Sequence, residues 1–303
     1  MVEKNPLVWI LVLHWRGIEH TRNCLQSLSA CHYGNFKVLL VDNGSDSGDG
    51  NTLSGEFPDI ELLVLDSNRG FSGGCNAGIE HSISNGADFV WLLNNDATVE
   101  PDTLSHLVEA AVGDTRSGAI CASVVERDEK GNVVRKLGKG EIDFLNAKAH
   151  LRSPDTNEVA VCDWISGSNM LLRSEALREV GLLNDDYFLY FEDVEICIRL
   201  RHKGWHCLLV PFATIYHVDG ASTAGQFLNW RYYYHARNRL IFFSSYPNFF
   251  WRCFCTARIF LHLVRRLVFA PFRKGNSREK LSLELKATKD FVSGVRGKVD
   301  ICP

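Results

Sequence analysis

The chain has 303 residues, a formal net charge of −3, 46% hydrophobic residues and 23% charged residues. This composition is ordinary for a globular protein and excludes a disordered or collagen-like chain. The length is sufficient for one large α/β domain, or for one domain with an appendage. The N-terminus shows no cleavage-site pattern, so we do not expect a secretory signal.

The ten cysteines are scattered and form no Cys-x-x-Cys pair, so the sequence does not indicate a zinc site. The nearest pair, Cys253 and Cys255, lies in an apolar stretch that also carries arginines. We therefore expect buried free thiols, which are typical of a reducing compartment such as the cytoplasm.

In the first part of the chain, short apolar runs alternate with helical patterns. The run at residues 7–13 is apolar throughout, as in a strand that a parallel sheet buries on both faces. Strands that alternate with helices at this spacing imply βαβ units and a mostly parallel sheet. The predicted strands cover residues 7–13, 36–41, 61–65 and 88–93, and the predicted helices cover 19–28, 75–85 and 101–112.

After residue 119 the pattern changes to strands and hairpins with two shorter helices. We expect Ser174 to cap the first of these helices, which ends at Gly181. The predicted strands cover 120–125, 133–144, 159–172, 206–211 and 214–217, and the predicted helices cover 174–180 and 191–203. Beyond Trp230 the chain is aromatic, basic and helix-like. We accordingly divide it into a catalytic-type α/β part, residues 1–227, and a helical C-terminal region, residues 228–303.

Polar residues follow three predicted strands at their carboxyl ends, which is where open α/β sheets bind ligands. These segments are Asp42-Asn43-Gly44-Ser45, the glycine-rich segment 68–74, and Asn94-Asn95-Asp96. The glycine-rich segment is either a packing feature or a phosphate cradle at a helix N-terminus. It lacks the lysine of a P-loop, and the first strand is not followed by a dinucleotide fingerprint, which disfavours ATP and nicotinamide cofactors.

Four carboxylates and one histidine could carry chemistry. Asp96 at a strand end suits a divalent metal that also binds substrate phosphates. Glu192, Asp193 and Glu195 open a predicted helix, where they either favour the helix dipole or supply a general base. Aromatic neighbours would raise the pKa of such a base. His217, which ends a strand, is either an ordinary residue or a ligand for metal or phosphate.

These motifs, in this order and spacing, resemble the inverting glycosyltransferases of family 2, and within them the rhamnosyltransferase-like branch. The resemblance covers residues 7–240 and implies a GT-A (Rossmann-like) fold, with a mixed, mostly parallel sheet flanked by helices. It implies a displacement with inversion at the sugar, in which Asp193 deprotonates an acceptor hydroxyl. It also implies Mg²⁺ or Mn²⁺ at Asp96 and His217.

The resemblance further assigns residues to the two substrates. The nucleotide-sugar donor would contact Asp42, Asn43, Asn68, Arg69, Gly70, Gly74, Asn76, Asn94 and Asn95. The sugar and acceptor side would be shaped by Trp164, Gly167, Ser168 and Glu192. Two departures matter: Asn94 stands where the family has the first Asp of its Asp-x-Asp motif, and His14-Trp15 stand where this branch commonly has Asn and Tyr.

The branch implies dTDP-rhamnose as donor, with UDP-sugars as the alternative, and a hydroxyl of a glycan or lipid-linked acceptor in cell-surface polysaccharide synthesis. A nucleotidyltransferase of the same fold would need a basic loop near Leu13, which the sequence lacks. A non-catalytic nucleotide-sugar-binding subunit remains an alternative, against which the presence of Asp96, Asp193 and His217 together argues.

The C-terminal region is strongly basic. Ten positive charges and no acidic residue lie between Asp219 and Glu279, which leaves −13 for the rest of the chain. No stretch reaches about 18 uncharged residues, so a membrane span is not expected, and no nucleic-acid-binding module accompanies the segment. Basic aromatic helices favour an anionic membrane surface, here the inner face of the cell membrane. A helical cap on the catalytic part or a homodimer interface is the alternative.

Overall fold

The computed structural model describes residues 5–127, 132–218, 226–269 and 277–300. Its strands are β1 (Val8–His14), β2 (Phe36–Asp42), β3 (Glu61–Val64), β4 (Phe89–Asn94), β5 (Ala97–Val99), β6 (Ser117–Arg127), β7 (Val133–Leu137), β8 (Lys139–Asp143), β9 (Lys148–Arg152), β10 (Ala160–Val161), β11 (Asn169–Arg173) and β12 (His206–Val218). Its helices are α1 (Ile18–Leu28), α2 (Asp49–Glu56), α3 (Gly70–Ser84), α4 (Thr103–Gly113), α5 (Ser174–Val180), α6 (Glu192–His202), α7 (Gln226–Ser244), α8 (Phe249–Val268) and α9 (Ser277–Val292).

The central sheet is mixed and has the strand order β10-β12-β6-β11-β4-β1-β2-β3. Strands β3, β2, β1 and β4 are parallel to one another, whereas β11 lies antiparallel between β4 and β6. In register, His14 pairs with Asp42 and Leu13 pairs with Asn94. The carboxyl ends of β1, β2 and β4 therefore meet at one edge, as the polar strand-end segments predict.

The hydrophobic core has two layers because successive side chains of a strand point to opposite faces of the sheet. Trp9 and Leu11 face α3 and α6, while Val8, Ile10 and Val12 face α1 and α4. All five side chains are fully buried. This burial on both faces explains why β1 is a continuous apolar run rather than an alternating one.

The predicted mixed α/β architecture with flanking helices is confirmed, although several local predictions are wrong. Helix α3 begins at Gly70 rather than at residue 75, so the glycine-rich segment forms its first turn. Helix α2 and the short strand β5 were not predicted. The segment 159–172 is two strands separated by a loop. Ser174 does not cap α5, because its hydroxyl donates to the Ala87 carbonyl at 2.6 Å.

Nine cysteines fall within the described ranges and all are free. Seven are buried, as expected, Cys31 is half-buried and Cys253 is exposed on α8. Burial raises the pKa of the Cys24 and Cys75 thiols, so both are protonated at neutral pH. These thiols are packing groups.

The C-terminal helices pack on the α/β part to different degrees. Helix α7 buries Tyr233, Tyr234, Arg237, Asn238 and Phe243. Helix α8 buries only Cys255 and Ile259. In the ranges given above, no helix combines the length and apolar character needed to cross a bilayer. Residues 219–225, 273 and 274, which belong to the basic segment of the sequence, lie outside the described residues.

Candidate active site

A cavity of about 330 Å³, the strand-end cavity, opens at the carboxyl ends of β1, β2 and β4. Residues 188–190, which precede α6, and Trp230 of α7 also line it. Eight of its lining residues are Leu13, Trp15, Asn43, Asn68, Gly70, Asn94, Asn95 and Asp96. The structure therefore brings together predicted residues from all three polar strand ends.

Asn43 organises the floor of this cavity. Its side-chain oxygen accepts the Arg69 N–H at 2.9 Å, and its amide donates to the Gly70 carbonyl at 2.9 Å. Gly74 packs against the same side chain, because a Cβ there would lie 3.0 Å from Asn43 Nδ2 and 2.6 Å from Leu13. A side chain at position 74 would therefore collide with both neighbours.

Four N–H groups at the start of the glycine-rich segment have acceptors within the protein. Arg69 N–H donates to Asn43, and Gly70 N–H donates to the Asn68 side chain at 2.8 Å. Phe71 and Ser72 both donate to the Phe188 carbonyl, at 2.7 and 3.4 Å. Since protein acceptors already satisfy these groups, the N-terminus of α3 is a docking point for residue 188.

Three residues that were predicted to contact the nucleotide-sugar make other contacts in the structure. Both oxygens of Asp42 accept from Ser45, at 2.8 Å each, and the carboxyl packs on Gly50 outside the cavity. Asn76 holds the loop before α6 through Leu183 and Asp185. Arg69 lines a separate cavity together with Asn76. The sequence predicted their neighbourhood, and local hydrogen bonds decide where the side chains point.

Asp96 and His217 are adjacent, with Oδ1 and Nε2 separated by 2.9 Å. The pairing of β5 with β12 places Ala97 opposite His217 and so brings together residues 121 positions apart. Asn94 lines the cavity beside Asp96, and its N–H donates to the Ser168 carbonyl at 3.0 Å. Asn95 also lines the cavity, but its amide donates to the Arg16 carbonyl and to Thr21, which positions the loop after β1.

Asp96 and His217 supply only two metal ligands, so a divalent cation there would need further ligands from the substrate. Across the described ranges, no three His, Cys, Asp or Glu side chains converge in a metal-binding arrangement. One carboxylate and one imidazole fit a cation such as Mg²⁺ or Mn²⁺ that keeps its other positions for phosphate oxygens and water. Asn94, in place of a second carboxylate, keeps this site weakly charged.

The segment before α6 is strained. Phe188, Tyr190 and Phe191 have φ values of 63°, 68° and 75°, in the left-handed region that bulky residues rarely adopt. Such residues cost about 1–3 kcal/mol each and persist only when the surroundings fix them. Here the surroundings are Arg237 and Asn238 of α7.

Arg237 and Asn238 are fully buried and bind the carbonyls of this segment. The Asn238 amide lies 2.8–2.9 Å from the carbonyls of Tyr187, Leu189 and Tyr190. The Arg237 guanidinium donates to the carbonyls of residues 186 and 187 and, from the other side, to Gly297. No local pattern indicates this role, because both residues belong to a segment that the sequence predicts as a basic, aromatic helix.

The strained segment presents two carboxylates at the start of α6. Gly167 N–H donates to Asp193 Oδ2 at 3.1 Å and Val194 N–H donates to Oδ1 at 2.8 Å, so both oxygens are oriented. Burial raises the pKa of Asp193. Burial and then the Asp193 charge raise the pKa of Glu192 well above its usual range. The charge of either carboxylate therefore disfavours ionisation of the other.

Asp193 is linked to the strand-end cavity through Phe71. A Cβ on Gly167 would lie 3.0 Å from the Phe71 ring, which lines the cavity, and 3.4 Å from Asp193 Cβ. The carbonyl of Ser168, the next residue, accepts the Asn94 N–H, so residues 167 and 168 connect Asp193 to Asn94 in the strand-end cavity. Trp164 does not reach the cavity. It is buried, and its indole donates to the Glu141 carbonyl at 3.2 Å.

Trp230 and Tyr190, which were not among the predicted site residues, line the cavity together with Trp15. Trp230 of α7 stacks on Trp15, with ring centroids 5.7 Å apart and an interplanar angle of 16°. Burial raises the pKa of the Tyr190 hydroxyl, Arg231 opposes this, and the carboxylates of Glu192, Asp193 and Asp96 raise it further. The conformation of Tyr190 thus places one ring near all three carboxylates.

The fold is of the GT-A type, which its structural neighbours share. The crystal structure of GalNAc-T7 with UDP, GalNAc and Mn²⁺ superposes with a TM-score of 0.62 at 13% identity. The match covers 97% of this chain and 57% of that longer one. At this identity, the likeness concerns the fold alone.

The family is narrower. The family model described as "Glycosyltransferase like family 2" matches residues 6–239, and the chain belongs to this family. The N-acetylglucosaminyl-diphospho-decaprenol L-rhamnosyltransferase of Mycobacterium tuberculosis is 28% identical over 87% of this chain and 93% of its own length. The dTDP-rhamnosyl transferase RfbF of Shigella flexneri is 24% identical over 61% of each chain. The rhamnosyltransferase-like resemblance is confirmed.

Proposed function

We propose that this glycosyltransferase transfers rhamnose from dTDP-rhamnose, with inversion, to a hydroxyl of a lipid-linked glycan in cell-surface polysaccharide synthesis. The observation that carries the proposal is the oriented carboxylate Asp193 close to a cavity lined by Asp96, which pairs with His217. The names of the mycobacterial and Shigella relatives support rhamnose as the sugar. The nucleotide in the Shigella name supports the thymidine donor.

The proposed reaction follows from the chain's own groups. The donor lies at the strand ends, with Asn43, Asn68 and Asn94 offering polar contacts and Trp15 an aromatic face. Asp193, held by two backbone N–H groups, accepts the proton of the acceptor hydroxyl as its oxygen attacks the anomeric carbon. Because burial raises the Asp193 pKa, the carboxylate is a stronger base than an exposed aspartate.

The diphosphate must leave with its developing charge stabilised. Asp96 and His217 are the groups that would hold a divalent cation, and such a cation, when bound, neutralises charge on the leaving nucleoside diphosphate. A UDP-sugar remains the second donor candidate, because the structurally similar GalNAc-T7 was crystallised with UDP.

The test is release of nucleoside diphosphate with a panel of dTDP-, UDP- and GDP-sugars, with and without acceptor. Asp193→Asn should lower turnover by about 10²–10⁴-fold, the usual contribution of a general base, and leave donor binding intact. The matched control is Asp186→Asn, an exposed aspartate in the same segment. Full turnover in Asp193→Asn would refute the assignment of Asp193 as the base. Absence of turnover with every nucleotide-sugar in the panel would refute the proposed transferase activity.

We also propose that α8 rests on the inner face of the cell membrane, where a lipid-linked acceptor is found. Phe250, Phe254, Leu261, Val264 and Val268 recur at helical spacing along α8, and all five are exposed. Arg252, Arg258 and Arg265 lie on the same helix. An exposed apolar stripe with flanking arginines has the chemistry of an interfacial helix on an anionic bilayer. By contrast, α7 is the helical cap, which was the alternative for the whole region.

A further inference from the structure

A second cavity, the basic cavity, lies between β9 and helices α7, α8 and α9, and no step of the proposed reaction uses it. Its volume is about 280 Å³, near the lower end of the range of about 300–1,000 Å³ for ligand pockets. Six of its lining residues are Lys148, Tyr232, His235, Arg239, His262 and Glu284. It is thus large enough for a compact polar group.

Two cationic side chains, Lys148 and Arg239, line the basic cavity. Arg239 is fixed at its wall by bonds to the carbonyls of Asn146 and Ala147. Glu284, the carboxylate among the residues named above that line the cavity, forms an ion pair with Arg266. Four cations act on His262 and, together with burial, lower its pKa: Arg239, Arg266, Lys148 and Arg258. Such a concentration of positive charge around an open space favours an anion of more than one charge.

The basic cavity adjoins the catalytic carboxylate. Phe191 lines it and lies two residues before Asp193, so their Cα atoms are at most about 7.6 Å apart. Tyr190 lines the strand-end cavity, and its ring lies 4.8 Å from that of His235, which lines the basic cavity. The Tyr190–His235 pair therefore separates the two cavities, with Asp193 close to the boundary.

The basic cavity also adjoins the helix with the exposed apolar stripe. Ile259, His262 and Leu263 of α8 line it, while Leu261 and Val264 of the same turns are exposed. One helix thus offers a charged inner wall and an apolar outer surface. An amphiphile with an anionic head and an apolar chain has the matching chemistry.

We propose that the basic cavity binds the diphosphate group of a lipid-linked acceptor. In this arrangement the prenyl chain runs along α8, and the acceptor sugar extends past Phe191 toward Asp193. The proposal rests on the proposed function, because it assumes an acceptor sugar joined to a lipid through a diphosphate. The name of the mycobacterial relative describes an acceptor of this chemistry.

The test is direct binding of farnesyl diphosphate to the full chain, measured by calorimetry in the presence of saturating dTDP to occupy the donor site. We expect Lys148→Glu to weaken binding about tenfold through charge reversal at the rim, and Lys148→Arg to preserve it. The matched control is Arg178→Ala, an exposed arginine of α5 outside both cavities. Inorganic pyrophosphate should compete with farnesyl diphosphate, which identifies the diphosphate as the recognised group.

Three results would overturn the assignment: unchanged binding in Lys148→Glu, equal binding of farnesol and farnesyl diphosphate, or complete displacement of farnesyl diphosphate by dTDP. Weaker binding by pyrophosphate than by farnesyl diphosphate supports a lipid headgroup, whereas equal binding would assign the cavity to free pyrophosphate and overturn the lipid-linked acceptor. Turnover with a nucleotide-sugar donor is measured separately. Turnover with unchanged Lys148→Glu binding would reject this site alone, while binding without turnover would reject the glycosyltransferase reaction.

Discussion

Replacing Gly70 with alanine tests the contact between the start of α3, at the strand-end cavity, and Phe188, in the strained segment before α6. Gly70 has a φ of 74°, and an added Cβ would lie 2.3 Å from the Phe188 carbonyl oxygen. That oxygen accepts the Phe71 and Ser72 N–H groups, so it cannot move without losing them. The substitution therefore combines an unfavourable backbone conformation with a collision against fixed backbone.

Gly48 separates the two contributions. It has a φ of 70°, close to that of Gly70, and an added Cβ would meet nothing within 4 Å. Gly48→Ala should lower the free energy of unfolding by about 1 kcal/mol, the left-handed penalty less the gain from a stiffer unfolded chain. Gly70→Ala should lower it by about 3–5 kcal/mol, because overpacking and loss of the Phe71 bond add to that penalty.

Urea unfolding of both variants measures the difference, and donor binding to folded Gly70→Ala shows whether the cavity has moved. We expect donor affinity to fall in Gly70→Ala and to be retained in Gly48→Ala. If both variants lost the same stability, the contact with Phe188 would not be a fixed one, and the docking of residue 188 on α3 would be refuted.

Three further predictions follow from the site and from α8. Asn238→Ala should lower the free energy of unfolding by about 2–4 kcal/mol, because the buried carbonyls of Leu189 and Tyr190 lose a hydrogen-bond donor. It should also lower kcat by a larger factor than it raises the KM for the nucleotide-sugar; equal effects in Asn229→Ala, on the same helix, would contradict this. The acidic limb of the pH profile of kcat should lie above the ordinary aspartate pKa of about 3.9, because burial raises the Asp193 pKa; a limb at or below pH 4 would exclude Asp193 as the base. Because the folded state then holds extra protons on Asp193 and Glu192, the free energy of unfolding should fall as the pH rises from the ordinary pKa values of these groups to their raised ones. Liposome flotation of Leu261→Asp/Val264→Asp should show at least about tenfold weaker binding to anionic vesicles than wild type, with Val133→Asp, an exposed valine of β7, as control; equal flotation of all three proteins would reject the membrane surface.

The sheet and its ligand-binding edge could be predicted from the sequence because their signals are local. The apolar run 7–13 requires burial on both faces, and turn residues such as Asp42 and Asn94 mark where strands end. The same local patterns could not show side-chain direction. Asp42 and Asn76 are near the cavity but satisfy neighbouring backbone groups instead.

The remaining parts of the site depend on contacts between distant residues. Tyr190 and Phe191 adopt left-handed conformations that their own residue types disfavour, so no local pattern predicts them. They are fixed by Asn238, 48 residues from Tyr190. Trp230 reaches the cavity because α7 folds back over the sheet. In the sequence of a helix, fully buried Asn238 and half-buried Asn229 look alike, and only the tertiary structure distinguishes them.

The bonds from Arg237 to Asp186, Tyr187 and Gly297 have a consequence for biosynthesis. The segment that presents Asp193 is held only after residues 237 and 297 have both been translated and have docked. A ribosome-bound chain with a complete central sheet would still lack an ordered base. Catalytic competence should therefore arise only after residue 297 has been synthesised, and products of partial synthesis or proteolysis that end before it should be inert even if they retain every strand of the sheet.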